Sequence, residues 1–180
     1  MKAVIQRVLA ASVEVDGHRI SEIKRGLCVL IGIGADDVRA DMDYIVNKIL
    51  NLRLFPSEVP DNLKKSTELE SHQSPPPAEN VKQWAKNVKD IEGEVLCVSQ
   101  FTLLAQTKKG NKPDFHNAMQ STSSRVMYAE LLELMKLSYC SERIKDGEFG
   151  AMMQVNIAND GPVTITLDSK EAQAGSKSRS

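Results

Sequence analysis

The chain has 180 residues, a net charge of −1 and a sequence pI of about 6.3. Its 41% hydrophobic and 26% charged residues are typical of one soluble globular domain, and the length is too small for two ordinary domains. The near-neutral charge argues against a protein that coats nucleic-acid backbone, but it leaves room for one that reads a short RNA end through few phosphate contacts.

Cysteine and histidine usage gives no pattern of a metal site or a disulfide framework. The cysteines (Cys28, Cys97 and Cys140) are odd in number and lack CxxC spacing, and the three histidines are scattered. We therefore expect no metal ion and no cofactor. The first apolar run breaks at Gln6 and Arg7, so no signal-peptide core is expected there. A cytoplasmic protein without membrane contact is the default expectation.

The N-terminal part predicts a hairpin. Alternating apolar residues predict strands over 2–8 and 11–15, and Asp16-Gly17 predicts a tight turn into a returning strand over 18–23.

A buried strand and an amphipathic helix follow. The apolar run 27–31 predicts a strand buried on both faces. A core-facing helix comes next, with Asp36 or Asp37 as its cap. Its apolar positions are Val38, Met42, Ile45, Ile49 and Leu52.

Residues 56–80 differ in composition from the rest of the chain, because they hold five of its seven prolines. They predict a loop or a partly disordered insertion. Trp84 follows this segment and either pins the returning chain onto the core or is an exposed anchor for a partner. Pinning is the favoured interpretation.

Polar residues follow the next buried strand. The run 95–98 predicts that strand, and it gives way to Ser99, Gln100 and Thr102, with Phe101 between them. Polar side chains there either satisfy the backbone at a strand end or line a substrate pocket at a sheet edge. Residue types alone favour the strand end.

Three lysines in residues 108–112 belong to turn-like sequence. They form either a solvated loop or a small phosphate-facing patch. The helix predicted over 121–138 has a core face of Tyr128, Leu131, Leu132, Met135 and Tyr139.

The C-terminal part predicts two strands and a tail. Residues 151–157 and 163–167 alternate, and the cluster 159–162 between them has turn chemistry. We expect a single domain over 1–168 and a disordered tail over 169–180.

Two distant motifs give the chain a specific resemblance. Ser99-Gln100-Phe101-Thr102-Leu103 and Asn159-Asp160-Gly161-Pro162-Val163-Thr164, together with the opening Met1-Lys2-Ala3-Val4-Ile5-Gln6-Arg7-Val8, resemble the D-aminoacyl-tRNA deacylases. The loop 109–115 and the segment 149–155 are similar to the family's as well. The resemblance covers nearly all of the first 168 residues.

This resemblance implies a mixed α/β (α+β) fold, with a predominantly antiparallel or mixed sheet, flanking helices and a homodimer. It also implies hydrolysis of the ester that joins a D-amino acid to the terminal adenosine at the 3′ end of tRNA. Glycine mischarged onto tRNA for alanine would be a further substrate.

The resemblance also implies site residues. In the family the Gly-Pro peptide is cis and reaches into the partner subunit's pocket, where its backbone would reject an L-amino acid by collision. Gly161 and Pro162 match that peptide, and Arg7 matches a position that buttresses it. Phe149 and Met153 match positions around the adenine.

Ser99, Gln100, Phe101 and Thr102 match the catalytic segment. Thr102 is either a nucleophile or part of a frame that positions the ester while the ribose 2′-hydroxyl assists. The second mechanism is favoured, because no base lies near Thr102 in sequence.

Two alternatives stay open. One is a nucleic-acid or replication factor on the same fold, which the weakly basic tail (Lys170, Lys177 and Arg179) and the near-neutral charge disfavour. The other is a general hydrolase that uses Thr102. The segment 56–80 also looks longer than the family's usual connection.

Overall fold

The computed structural model describes residues 1–57 and 81–171. Within these ranges, six strands form one mixed sheet and two α-helices flank it, which confirms the predicted fold class. The strands are β1 (Lys2–Val15), β2 (His18–Ile23), β3 (Gly26–Gly32), β4 (Glu94–Ser99), β5 (Ile144–Asp146) and β6 (Gln154–Asp168). The helices are α1 (Arg39–Asn51) and α2 (Ser121–Ser138).

Strand β1 organises the sheet. Its first half pairs with β3 and its second half with β2, while β6 runs along its other edge, all antiparallel. Strands β3, β4 and β5 are parallel neighbours. The sheet curls into a near-barrel, which brings β2 close to β5: Ser21 Oγ on β2 donates a hydrogen bond to the Asp146 carbonyl on β5 at 2.6 Å.

The curled sheet separates two hydrophobic clusters. Alternate residues of β4 point to opposite faces, as the strand period requires. Leu96 and Val98 join the inner cluster, and Val95 and Cys97 join the larger cluster beneath the helices. The predicted core face of α2 is confirmed, since Tyr128, Leu131, Leu132 and Met135 are buried and Tyr139 packs against them.

The predicted helix over 38–52 is confirmed, but its cap is not Asp36 or Asp37. Helix α1 begins after Val38, whose N–H donates to Asp41 Oδ2 at 2.9 Å. Asp37 instead pairs with the N-terminal ammonium of Met1 and accepts a hydrogen bond from the Gly34 N–H at 2.6 Å.

Strands β1 and β6 are longer than predicted. The prediction that the chain reverses at a turn over 159–162 is wrong. Val8 pairs with Asn159 and Arg7 pairs with Val163, so residues 160–162 bulge out of a strand that continues on both sides.

Trp84 does not pin the chain to the core. It is 55% exposed, whereas Phe55 and Val88 are fully buried. Phe55 and Lys86 exchange two backbone hydrogen bonds of 3.0 Å. Of the Pro-rich segment 56–80, only Pro56 and Ser57 fall within the described residues, so its predicted disorder stays a prediction.

The tail predicted to be disordered begins at residue 169, but its first two residues make contacts with the folded domain. Ser169 is buried, and its Oγ accepts a hydrogen bond from the Met1 ammonium at 2.7 Å and donates one to Asp41 Oδ1 at 2.6 Å. Lys170 Nζ lies 2.9 Å from Asp41 Oδ2. Residues 172–180 lie outside the described part, and the domain boundary at 168 remains a prediction.

Asp41 makes this network sensitive to acid. Desolvation opposes its charge, but hydrogen bonds from Ser169, Lys170 and the Val38 N–H together outweigh it and lower its pKa to about 2. Since the unfolded pKa is about 4, the charge contributes about 2 kcal/mol that is fully present above pH ~4 and lost as the pH falls through ~2. We expect Asp41→Asn to lower the free energy of unfolding at neutral pH and to flatten its acid dependence.

Urea unfolding measured between acidic and neutral pH checks this expectation. Asp43→Asn is the matched control, because Asp43 is exposed and, among the described residues, pairs with Arg39 on the helix surface. Equal unfolding free energies for the wild type and Asp41→Asn across the whole range would contradict it.

Candidate active site

The catalytic candidates lie where β3 and β4 end side by side. Ser99 pairs with Ile31, and the Gln100 N–H donates to the Ile31 carbonyl at 2.7 Å. The chain then enters one 3₁₀ turn, Phe101–Leu104. Gly32 makes room for this turn, since a Cβ there would lie 2.6 Å from Leu104 Cδ2.

This turn presents backbone donors rather than an activated nucleophile. Phe101 and Thr102 are exposed, and as the first two residues of the turn their N–H groups have no partner within it. The Gln100 side-chain amide donates a hydrogen bond to Thr102 Oγ1. An amide cannot take the hydroxyl proton, and no described base is hydrogen-bonded to Thr102. The geometry therefore favours positioning over nucleophilic attack by Thr102.

The lysine loop is anchored beside the turn. Phe115 makes an edge contact with Phe101, with ring centroids 5.1 Å apart. Gln106 and Asp114 exchange backbone hydrogen bonds of 2.7 and 2.9 Å, which close the loop that carries the three lysines. The lysines are exposed, so both interpretations of the loop remain compatible with the structure.

Phe149 and Met153 flank the same end of the sheet. The Gly147 N–H donates to the Cys97 carbonyl at 3.1 Å, so the chain continues from β5 alongside the last residues of β4. Phe149 packs on the helix side, 5.5 Å from the Tyr128 ring, whereas Met153 packs against the inner cluster. The two expected adenosine contacts thus approach from opposite faces of the sheet.

Cysteine chemistry does not fit this region. Burial raises the pKa of Cys28 to about 11 and raises that of Cys97 further above its usual range. Both remain thiols at neutral pH and fill space in the core. Within residues 1–57 and 81–171, no group of three or more His, Cys, Asp or Glu is arranged to hold a metal ion. In the same ranges, no helix is long and apolar enough to cross a membrane.

The Gly161-Pro162 peptide is cis, as the resemblance implied, and both residues are exposed on the bulge of β6. Arg7 holds the base of this bulge. Its Nε lies 3.0 Å from Asp160 Oδ2, and its Nη1 donates to the Leu54 carbonyl at 2.6 Å. The buttressing position of Arg7 therefore has a physical basis in an ion pair and a hydrogen bond.

Residues that the sequence did not single out complete this support. The Phe55 ring contacts two guanidinium groups, 6.0 Å from that of Arg7 and 5.4 Å from that of Arg25. Burial lowers the pKa of Arg25, although the charge of Asp160 opposes that shift. In the sequence, Asp160 was marked by its position directly before Gly161. Nothing in the sequence marked Phe55 or Arg25 as part of the site.

Within one chain, the two motifs lie on strands that are not neighbours in the sheet. The bulge lies opposite Arg7, which pairs with Leu27, while Ser99 pairs with Ile31 four residues further along β3. With β1 and β3 between β6 and β4, strand rise and strand spacing place Val163 and Ser99 about 20 Å apart along the surface of the sheet.

Comparison with known proteins gives a consistent result. A family model described as D-Tyr-tRNA(Tyr) deacylase matches residues 4–168. The chain is 50% identical over 171 residues to D-aminoacyl-tRNA deacylase from Dictyostelium discoideum, covering 95% of this chain and 99% of the relative. It is 48% identical over 169 residues to D-aminoacyl-tRNA deacylase 1 from Homo sapiens, covering 94% and 70%.

Two solved structures resemble the fold. One is named c-Myc DNA Unwinding Element Binding Protein, with a TM-score of 0.77 and 48% identity, covering 93% of this chain and 98% of that one. The other, described as a probable eukaryotic D-amino acid tRNA deacylase, has a TM-score of 0.72 and 15% identity over the same shares, and supports the fold alone. By the family model and these relatives, the chain belongs to the D-Tyr-tRNA(Tyr) deacylase family.

Proposed function

We propose that the protein hydrolyses the ester bond of D-aminoacyl-tRNA in the cytoplasm and releases the D-amino acid and tRNA. Membership of a deacylase family makes it a hydrolase of aminoacyl-tRNA esters. The observation that carries the chiral part is the exposed Gly161-Pro162 bulge of β6, braced by the Arg7–Asp160 ion pair. Such a rigid backbone element can discriminate the two enantiomers at one carbon.

The discrimination works by exclusion. Backbone carbonyls on a braced bulge cannot rotate aside as a side chain can, so they accept the ammonium of a D-amino acid and collide with an L side chain. Glycine has no side chain to collide, so glycine mischarged onto tRNA for alanine is also a substrate in this proposal.

The complete site requires two copies of the chain. The separation of about 20 Å between the bulge and Ser99–Thr102 supports this arrangement. Within the described ranges β6 pairs only with β1, so its outer edge is available to a second copy. In the homodimer, Gly161 and Pro162 of one chain enter the pocket of the other.

The chemistry is positioning plus charge stabilisation. Water attacks the ester carbonyl carbon, and the oxygen that becomes negative accepts hydrogen bonds from the N–H groups of Phe101 and Thr102. The ester C–O bond then breaks, and the ribose 3′-oxygen leaves and takes up a proton, with the neighbouring 2′-hydroxyl assisting. Phe149 and Met153 hold the terminal adenosine.

Thr102→Ala is expected to lower kcat by about tenfold or less, because only an orienting contact is lost and the backbone donors remain. A substrate that lacks the 2′-hydroxyl is expected to resist cleavage. Single-turnover deacylation of both substrates measures these effects. If Thr102→Ala abolishes turnover, Thr102 is the nucleophile and the positioning mechanism is wrong.

The experiment that tests the function compares release of tyrosine from D-Tyr-tRNA and from L-Tyr-tRNA by the purified protein. Rapid release from the D-substrate, with the L-substrate largely intact, is the expected result. Equal rates for the two enantiomers would overturn the chiral filter.

A nucleic-acid-binding role is a second candidate, because one similar structure is named as a DNA unwinding element binding protein. That name describes the other protein. The net charge of −1 here weighs against broad DNA binding. Tight binding to duplex DNA without any deacylation would favour this candidate over the hydrolase.

A further inference from the structure

Arg125 lies beside one wall of the candidate site and has no assigned role. It is exposed near the start of α2, and its guanidinium carbon lies 4.8 Å from the centroid of the Phe149 ring. Its Nη2 also donates to the Phe149 carbonyl at 3.3 Å. One side chain therefore contacts both the ring and the backbone of Phe149.

Phe149 packs partly against the core cluster beneath the helices, and the exposed Arg125 side chain adds a further contact to its ring. Residues 147–153 connect β5 to β6 without regular structure. Tyr128 touches the Phe149 ring from the same face of α2, three residues after Arg125. Tyr128 is buried and fixes the inner side of the ring, which leaves Arg125 to fix the outer side.

The charge of Arg125 is available to a ligand. Unlike Arg39 and Arg19, which pair with carboxylates, Arg125 forms no ion pair with any described residue. A guanidinium that stacks on an aromatic ring and retains free N–H donors is well suited to an RNA phosphate next to a stacked base.

We propose that Arg125 is a positioning and RNA-binding residue of the deacylase site. It holds Phe149 as the platform for the terminal adenosine, and it donates its remaining N–H groups to a phosphate of the single-stranded 3′ end. The assignment rests on the proposed function, since that function is what brings an RNA end to Phe149.

Two measurements test the assignment. We expect Arg125→Ala to raise the KM for D-Tyr-tRNA about fivefold with little change in kcat, since the contact orders a binding surface and not the reacting atoms. Arg125→Lys keeps the charge but loses the planar stack, so its KM should lie between those of the wild type and the alanine variant. Arg19→Ala removes the same charge from an exposed site on β2 and should leave KM unchanged.

The second measurement does not depend on hydrolysis. Anisotropy titration with a short single-stranded RNA that ends in adenosine should show weaker binding by Arg125→Ala, with a salt dependence shallower by about 0.7 in the log–log slope for one lost phosphate contact. In a Phe149→Ala background, the loss of Arg125 should cost less than in the wild type, because the shared platform is already gone.

The outcomes separate the two proposals. If the wild type binds the RNA and Arg125→Ala binds equally well with the same salt slope, the Arg125 assignment is wrong, whatever the deacylation assay gives. If RNA binding shows the predicted loss but D-Tyr-tRNA is not cleaved, the proposed reaction fails and the RNA contact stands. A wild type that does not bind the RNA at all overturns the Arg125 contact.

Discussion

Gly161→Ala is expected to lower kcat/KM for D-Tyr-tRNA by about 100-fold, because a displacement near 1 Å in a positioning group costs on that order. Gly161 has a φ of +118°, which residues with a side chain rarely adopt. An alanine Cβ there would lie 3.0 Å from Val163 Cγ2 and 3.2 Å from Arg7 Nη2. Val163 is fixed in the β6 ladder and Arg7 by Asp160, so the bulge itself must move.

Steady-state kinetics with a matched glycine variant separate this effect from backbone strain. Gly17 also has a positive φ, +75°, but a Cβ there would meet nothing within 4 Å, and it lies in the hairpin away from the site. Gly17→Ala should lose some stability and keep kcat/KM within about twofold. If the two variants have the same kinetics, the bulge has no role in turnover.

Mixed dimers test whether the bulge acts across a subunit interface. Thr102→Trp would block the pocket of its own chain, while Gly161→Ala damages the bulge of its own chain. If each site combines the pocket of one chain with the bulge of the other, a mixed dimer has one intact site. Random co-assembly then restores about a quarter of wild-type activity, although each variant alone is strongly impaired. A mixture that stays inactive would contradict the shared site.

The parts of the fold that were predictable are those in which local pattern and burial agree. Strands β3 and β4 are buried on both faces, so their continuous apolar runs carry the signal without any knowledge of their partners. Helix α2 buries one regular stripe. Strands β1 and β6 were predicted in pieces, because exposed Leu9 and Ala10 and the bulge interrupt their alternation.

The site residues also divide into those that the sequence could predict and those that it could not. Its motif residues are contiguous in sequence, and a resemblance can therefore point to them. Their supports come from far away: Leu54 is 47 residues from Arg7, and Asp41 is 128 residues from Ser169. The side chains of Asp36 and Asp37 look like helix caps locally, but in the folded chain Asp37 pairs with the distant Met1 ammonium and accepts a hydrogen bond from the Gly34 N–H. Arg125 was not singled out in the sequence for the same reason, since Phe149, which it contacts, lies 24 residues away.

Arg7→Ala is expected to lower the free energy of unfolding by about 3 kcal/mol, since it leaves the Leu54 carbonyl without its donor and Asp160 without its counterion. The Arg7 side chain is 10% exposed and that of Asp160 23%, so water only partly replaces the lost contacts. For a chain of this size, the loss corresponds to a fall in Tm of about 10 °C. Urea and thermal unfolding measure it directly.

Activity at a temperature where the variant is fully folded then separates stability from catalysis. Arg7→Lys keeps a cation near Asp160 but cannot also reach Leu54 with a planar fork, so we expect an intermediate unfolding free energy and partial activity. Folded Arg7→Ala should remain strongly impaired toward D-Tyr-tRNA, because the bulge has lost its brace. Wild-type turnover by the folded alanine variant would mean that residues 160–162 hold their shape without Arg7. In that case the chiral filter proposed for this bulge would need another source of rigidity.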